Sequence, residues 1–292
     1  LDEPARAGDA FAAGDFEGGY RLAQEGLHTR PHDPVLLAVA GRSALELGLE
    51  DAVGYLNALV EQSPDDAAAW RDFGLALLNT ADLTGAERAL RTAVRLDPED
   101  PGTRMNLGHL AYLDGAFEEA TFQLWRTAEL APKDGQALRS LIEMNRLEGR
   151  TQAALEAARE LTQRLPRDVL AALDVAELHL LLGNADESLL AFRRLLGIDT
   201  ELGHAAYLYH GMIEVEIRRE RWRSALDLTI SASALDRRRL TTDLLSYVSA
   251  QLFGPGARPT PDRADLERRL AERRIAHRRM HADSLLLERP ST

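Results

Sequence analysis

The chain has 292 residues, a formal net charge of −12 and no cysteine. The missing cysteine excludes disulfides, thiolate metal sites and a cysteine nucleophile, and the acidic balance disfavours non-specific binding to nucleic-acid phosphates. Hydrophobic residues reach 45% while aromatics stay at 5%. Strand-favouring runs are lacking and no apolar stretch approaches the roughly 20 residues of a membrane span, so an all-α chain without such a span is expected.

Residues 1–32 read as one helical hairpin: Ala5 to Ala13, a Gly14–Asp15 turn, Glu17 to Thr29, and Pro31 as the stop. Residues 33–66 carry Ala40–Gly41, Gly48, Ala52, Leu56 and Pro64. Residues 67–100 hold the clearest pattern, with Trp70, Phe73, Gly74, Leu77, Ala86, Leu90, Ala93 and Pro98. The next copy has Leu107, Gly108, Ala120, Leu124 and Pro132, with Arg104 in the place of Trp70. Residues 135–168 keep Ala154 and Pro166 but carry Ile142 at the glycine position. Residues 169–203 lose the closing proline yet retain Gly183, Ser188, Phe192 and Leu195. Residues 204–238 are recognisable from Tyr207, Gly211, Trp222, Ala225 and Leu228, with about three extra residues before the second helix.

The period is 34 residues: Pro64, Pro98, Pro132 and Pro166 keep it, as do Asp66, Asp100, Asp134 and Asp168. Prolines cannot continue a helix, and the aspartates after them suit the N-cap of the next one. Gly74 and Gly108, costly inside a helix by about 1 kcal/mol, make sense where a second helix comes close, with Ala86 and Ala120 facing them. Asp82 to Gly85, Asp114–Gly115, Glu148–Gly149 and Gly183–Asn184 supply the turns.

Together these positions resemble the tetratricopeptide repeat. The resemblance implies a right-handed superhelical solenoid of about seven helix–turn–helix repeats over residues 1–238. Leu240, Leu244, Leu245, Val248 and Leu252 recur at helical spacing, and residues 239–253 are expected to cap the last hairpin.

Residues 254–292 open with a Gly/Pro break, and Thr260–Pro261 reads as the start of a further helix. Residues 1–168 hold 29 acidic and 17 basic residues, residues 169–253 hold 12 and 9, and this tail holds 6 and 9. Its arginine pairs at 268–269, 273–274 and 278–279 are five residues apart, so each is rotated by about 140° from the last and they wind around the helix. Leu266, Leu270, Ile275 and Met280 form no clean seam. The tail is read as a solvated or loosely docked helix, as one docked on the solenoid or another subunit, or as a contact for an anionic partner.

In the resembled family the first helices line the concave face. The resemblance then implies partner contacts at Arg71, Met105 and Arg139, at His109 and Glu143, at Tyr112 and Arg146, and at Asn106. Arginines can grip a carboxylate bidentately; ion pairing inside the repeats, such as Arg71 with Asp72 or Glu143 with Arg139, is the alternative. On the groove reading, charge reversal at Arg71 and Arg139 weakens partner capture with little loss of stability. The lysine and asparagine clamp with which some members hold chaperone tails is missing, since Lys133 is the only lysine.

No phosphate loop or nucleophile elbow is present. His277 and His281, four apart, lack a third ligand, and His204 and His210 fall on different helical faces, so neither enzyme activity, metal nor cofactor is expected. The expected function is a protein-interaction adaptor or scaffold, bacterial by its arginine-dominated coding bias, with a protein or peptide partner and a place in a larger complex. A peptide-sensing regulator whose Arg-rich tail acts on an anionic target, or a structural subunit of an assembly, are the rival readings. The first residue is Leu1, which fits a processed end, and the composition suits the cytoplasm and the periplasm equally.

Overall fold

The computed structural model describes residues 3–198, 205–235, 239–254 and 260–287; for residues 198, 206, 239 and 277–287 only the backbone is described. The regular elements among the described residues are all α-helices. They pair in chain order as α1 (Glu3–Ala12) with α2 (Phe16–Thr29), α3 (Pro34–Glu46) with α4 (Ala52–Gln62), and α5 (Ala67–Asn79) with α6 (Leu83–Leu96). Next come α7 (Pro101–Leu113) with α8 (Phe117–Leu130), α9 (Gln136–Leu147) with α10 (Thr151–Arg164), α11 (Val169–Leu181) with α12 (Ala185–Ile198), and α13 (Ala205–Arg218) with α14 (Trp222–Leu235). Two further helices close the chain, α15 (Arg239–Phe253) and α16 (Arg263–Leu287). The expected all-α array of seven helix–turn–helix units is therefore present.

Each hairpin turns on one left-handed residue: Gly14, Gly48, Ala81, Gly115, Gly149, Gly183 and Glu220, with φ between 56° and 78°. One turn falls elsewhere than expected. Ala81 makes the left-handed step in the third hairpin, and Gly85, expected in the turn, lies inside α6. The Gly85 amide donates to Asp82 Oδ1 at 2.9 Å, and a Cβ there would strike that carboxylate at 2.4 Å. This glycine serves the cap of the helix instead of the turn.

The proline–aspartate punctuation acts as its chemistry suggests. Asp33, Asp66, Asp100 and Asp168 accept amide hydrogen bonds from the first turns of α3, α5, α7 and α11. Asp134 accepts from the Gln136 amide at 2.9 Å. Trp70 Nε1 donates to the Pro64 carbonyl at 2.8 Å, and Arg104 Nε donates to the Pro98 carbonyl at 2.9 Å. An arginine can replace the tryptophan because both bring a side-chain N–H to the carbonyl six residues back.

In the second to fourth hairpins the two helices meet at one pair of unequal residues. A Cβ on Gly74 would lie 2.7 Å from Leu90 Cγ, one on Gly108 would lie 3.0 Å from Leu124 Cγ, and one on Gly41 would lie 2.6 Å from Leu56 Cγ. Leu56, Leu90 and Leu124 fill the space that the glycines leave, and all three are fully buried. In the fifth hairpin the sizes are exchanged: Ile142 stands at the glycine position, Ala158 at the leucine position, and both are buried.

The contacts fall into two compact units, one running up to Leu141 and the other beginning at Ile142, so the boundary lies within α9. In the second unit α15 and α16 complete the core formed by Ile213, Ile217, Ala225, Ala232, Leu240, Leu244, Tyr247, Val248, Leu266 and Leu270. Two details of the tail differ from expectation. α16 starts at Arg263, with Asp262 accepting from the Asp265 amide at 3.2 Å, so Pro261 lies outside the helix. Leu266 and Leu270, one helical turn apart, are both buried and do form a docking face.

Gly74→Ile alone is expected to cost about 1–3 kcal/mol by overpacking, and Leu90→Ala alone about 2–5 kcal/mol by leaving a cavity. The double variant, which copies the Ile142 and Ala158 arrangement, is expected to recover at least about 1 kcal/mol of the summed loss in urea denaturation. Simple addition of the two costs would disprove the pairing.

Candidate partner-binding surfaces

In the first unit, the first helices α3, α5 and α7 are tied together by charge. Arg42 Nε contacts Asp72 Oδ2 at 2.5 Å; Arg71 reaches Asp72 Oδ1 at 2.9 Å and Asp100 Oδ2 at 3.4 Å. Asp72 is buried. Asp100 also caps α7 through the Thr103 amide at 2.9 Å and the Gly102 amide at 3.2 Å, and accepts from the Thr103 hydroxyl. Burial opposes the charge on Arg71, but Asp72 and Asp100 outweigh it and hold the guanidinium above its ordinary value. Burial likewise works against the Asp100 carboxylate, yet the Thr103 hydroxyl and amide, Arg71 and the Gly102 amide together keep its pKa below the usual range.

Arg71 is thus a brace between repeats. Charge reversal there would set a glutamate beside Asp72 and Asp100, so the expectation that it leaves stability nearly unchanged is corrected. The other sequence-proposed residues of this unit stand differently. His109 is exposed, with Nε2 3.1 Å from Ser140 Oγ. Met105, Asn106 and Arg139 are half-buried. Tyr112 is half-buried with its ring 5.8 Å from that of Phe117.

In the second unit Glu143 is exposed, while Arg146 is 3.3 Å from both Asp174 Oδ1 and Glu177 Oε2. Glu177 is fully buried and also accepts from the Tyr207 hydroxyl. Asp174 and Glu177 were not among the expected site residues. Adding 34 once more to Ser140 and to Glu143 would have found them.

A second set also escaped the sequence reading. Leu113, Leu147 and Leu181 are 65%, 66% and 47% exposed. Each follows His109, Glu143 or Glu177 by four residues, which places it on the same helical face. Leu113 belongs to the first unit, Leu147 and Leu181 to the second.

Four arginines of the tail helix pair with carboxylates of their own chain. Arg263 pairs with Glu267 at 2.9 Å, Arg268 with Asp265 and Glu272, Arg269 with Asp243 at 2.8 Å, and Arg274 with Glu214. Of the readings left open for it, docking on its own solenoid is the one observed. His210 is buried against Thr241 Oγ1 at 3.0 Å. The His204 residue and the side chains of His277 and His281 lie outside the described residues. Among the described residues no group of three or more His, Asp or Glu is placed to hold a metal ion, and no helix is long and apolar enough to cross a membrane.

Such an array of helical pairs, with polar and leucine residues repeating on the first helices, defines a helical-repeat protein of the interaction class. The tetratricopeptide repeat family model matches residues 39–101, 71–137 and 148–201, together more than half of the chain. The chain belongs to the tetratricopeptide repeat family. Its fold is similar to the C-terminal part of a TPR repeat-containing protein from Cytophaga hutchinsonii, at 12% identity and TM-score 0.70, covering 83% of this chain and 99% of that one. It is also similar to PilW, a type IV pilus biogenesis factor, at 18% identity and TM-score 0.55, covering 67% of this chain and 91% of that one. YrrB, a TPR protein with an unusual peptide-binding site, is 17% identical with TM-score 0.50, covering 64% of this chain and 94% of that one. At these identities the likeness is one of fold. No curated protein matches the chain in sequence.

Because its folded pKa is depressed, Asp100 contributes stability that is present above its ordinary value of 3.8 and lost as pH falls through the lower folded value. Asp100→Asn keeps a capping oxygen but cannot titrate. It is expected to be about 1 kcal/mol less stable at pH 7 and to lose less stability than the parent below about pH 4, read by thermal melts across that range. An unchanged acid slope would remove Asp100 from the account.

Proposed function

We propose that this chain is an adaptor or scaffold that holds a peptide or helix of a partner protein against the first helices of its repeats. One observation carries this reading: a polar or charged residue followed four later by an exposed leucine, in His109–Leu113, Glu143–Leu147 and Glu177–Leu181. Core packing gives no reason for leucines to stay in water at the same repeat position, whereas a partner chain covering them does. Met105, Asn106, Tyr112, Arg139 and Arg146 are proposed as further contacts, each within its own unit, and Arg71 as a brace behind them. A peptide-binding site in YrrB shows that proteins of this fold are put to such use. α15 is proposed to cap the seventh hairpin.

The acidic balance of the repeats favours a basic partner segment, since complementary charge raises the encounter rate and rejects wrong partners. The partner is first identified by pull-down from the native host and then titrated in purified form. Leu147→Asp combined with Leu181→Asp is expected to weaken its binding at least about tenfold, a loss near 1.4 kcal/mol. Because both side chains are largely exposed, folding stability should change by no more than about 0.5 kcal/mol for each. Undiminished binding by this variant would end the first-helix reading.

A further inference from the structure

The left-handed turn residues give the repeats a common origin. Six residues before Gly115, Gly149, Gly183 and Glu220 stand His109, Glu143, Glu177 and Glu214. Glu214 is therefore the seventh repeat's counterpart of the proposed contact residues, despite the extra residues near the start of that repeat. It is buried, and Arg218 meets its Oε1 at 2.7 Å. Its other oxygen, Oε2, accepts from Arg274 of α16.

The chain's own last helix thus occupies a position that at His109 and Glu143 of the fourth and fifth repeats is exposed and belongs to the proposed partner surface, while Glu177 of the sixth is buried against Arg146 and Tyr207. The way it does so is simple. Leu266, Leu270 and Arg274 recur every four residues and form one face of α16. The two leucines enter the cluster of Ile213, Ile217, Leu240 and Leu244, and Arg274 ends on Glu214. Arg269, beside this face, reaches Asp243 of α15 at 2.8 Å. The seating is narrow: Ile275, next to Arg274, is 53% exposed, and a cavity of about 10 Å³ lined by Tyr207, His210, Glu214, Leu270 and Arg274 remains under the helix. Burial pushes the Glu214 carboxyl up from its ordinary range, against the pull of Arg274 and Arg218. A carboxylate in that setting favours an occupant that brings a cation with it.

We propose that α16 is a built-in ligand, and that the α13–α15 surface accepts in its place an amphipathic helix of a partner chain bearing the same leucine, leucine, arginine face at four-residue spacing. The proposal rests on the partner-binding reading above and gives it a chemical class: a basic amphipathic helix that competes with α16. Among the described residues, Leu266 and Leu270 and the ion pairs of Arg263 with Glu220, Arg269 with Asp243 and Arg274 with Glu214 hold the resident helix, so a partner with a similar face needs only to match a small contact.

The test uses the full chain. The probe is a fluorescent synthetic helix of about 20 residues. It keeps leucine at the positions of Leu266 and Leu270 and arginine at those of Arg269 and Arg274, and is otherwise built from alanine, glutamine and lysine. Leu266→Asp with Leu270→Asp should release α16 and raise probe affinity at least about tenfold over the parent chain. Adding Glu214→Gln to that variant should remove most of the gain, and a probe with glutamate in place of its last arginine should not bind. Helical circular dichroism confirms folding, and Arg274→Ala serves as the milder release variant if the double substitution melts the second unit. Equal probe binding by the parent and by a folded release variant, or binding indifferent to Glu214, overturns the proposal. If only that happens while Leu147→Asp and Leu181→Asp still abolish partner capture, the adaptor reading stands and the resident-ligand inference alone falls.

Discussion

Everything in this chain depends on how closely the two helices of each hairpin approach. In the second, third and fourth hairpins the approach is set by one unequal pair, such as Gly74 with Leu90, where the missing side chain on one helix admits a branched one from the other, and in the fifth the sizes are exchanged. Once that contact is made, the remaining apolar residues of the hairpin form one layer. That layer is covered only when the next hairpin stacks on it. The consequence for function is that the buried faces of both helices are committed to stacking. The solvent side of the first helices is left to vary.

The variation there is not random. Behind the surface, Arg42, Asp72, Arg71 and Asp100 link three consecutive first helices of the first unit. In the second unit Arg146, Asp174 and Glu177 do the same for α9 and α11. Chains of paired charges that are partly withdrawn from water fix side-chain direction more than they add stability. In front of them stand residues with no such duty, above all Leu113, Leu147 and Leu181. The second unit ends by covering its own last first-helix surface with α16, whose Arg269 and Arg274 meet Asp243 and Glu214 there.

Much of the fold could be read from the residues. The 34-residue recurrence of proline and aspartate gives hairpin lengths, and caps at Asp66, Asp100 and Asp168 follow from amide chemistry that is local in sequence. Where the reading slipped, a non-local competitor had decided the matter. Gly85 resembles a turn residue, but the space around Asp82 demands a glycine in the helix while Ala81 takes the left-handed step. For Arg71 the residues left groove contact and pairing with Asp72 both open; the pairing is what is found, and Asp100 of the next repeat joins it. Docking of α16 was one of the open readings, but its face was not legible, because arginines five residues apart scatter around a helix and mask the series Leu266, Leu270 and Arg274. That four-residue series is plain only once Glu214 lies opposite its end.

The most direct measurement is amide hydrogen exchange on the full chain, with and without its purified partner. Added protection is expected in the first helices α7, α9 and α11, with their hairpin mates α8, α10 and α12 unchanged. Protection confined to those second helices, with α7, α9 and α11 exchanging as before, would contradict the first-helix reading.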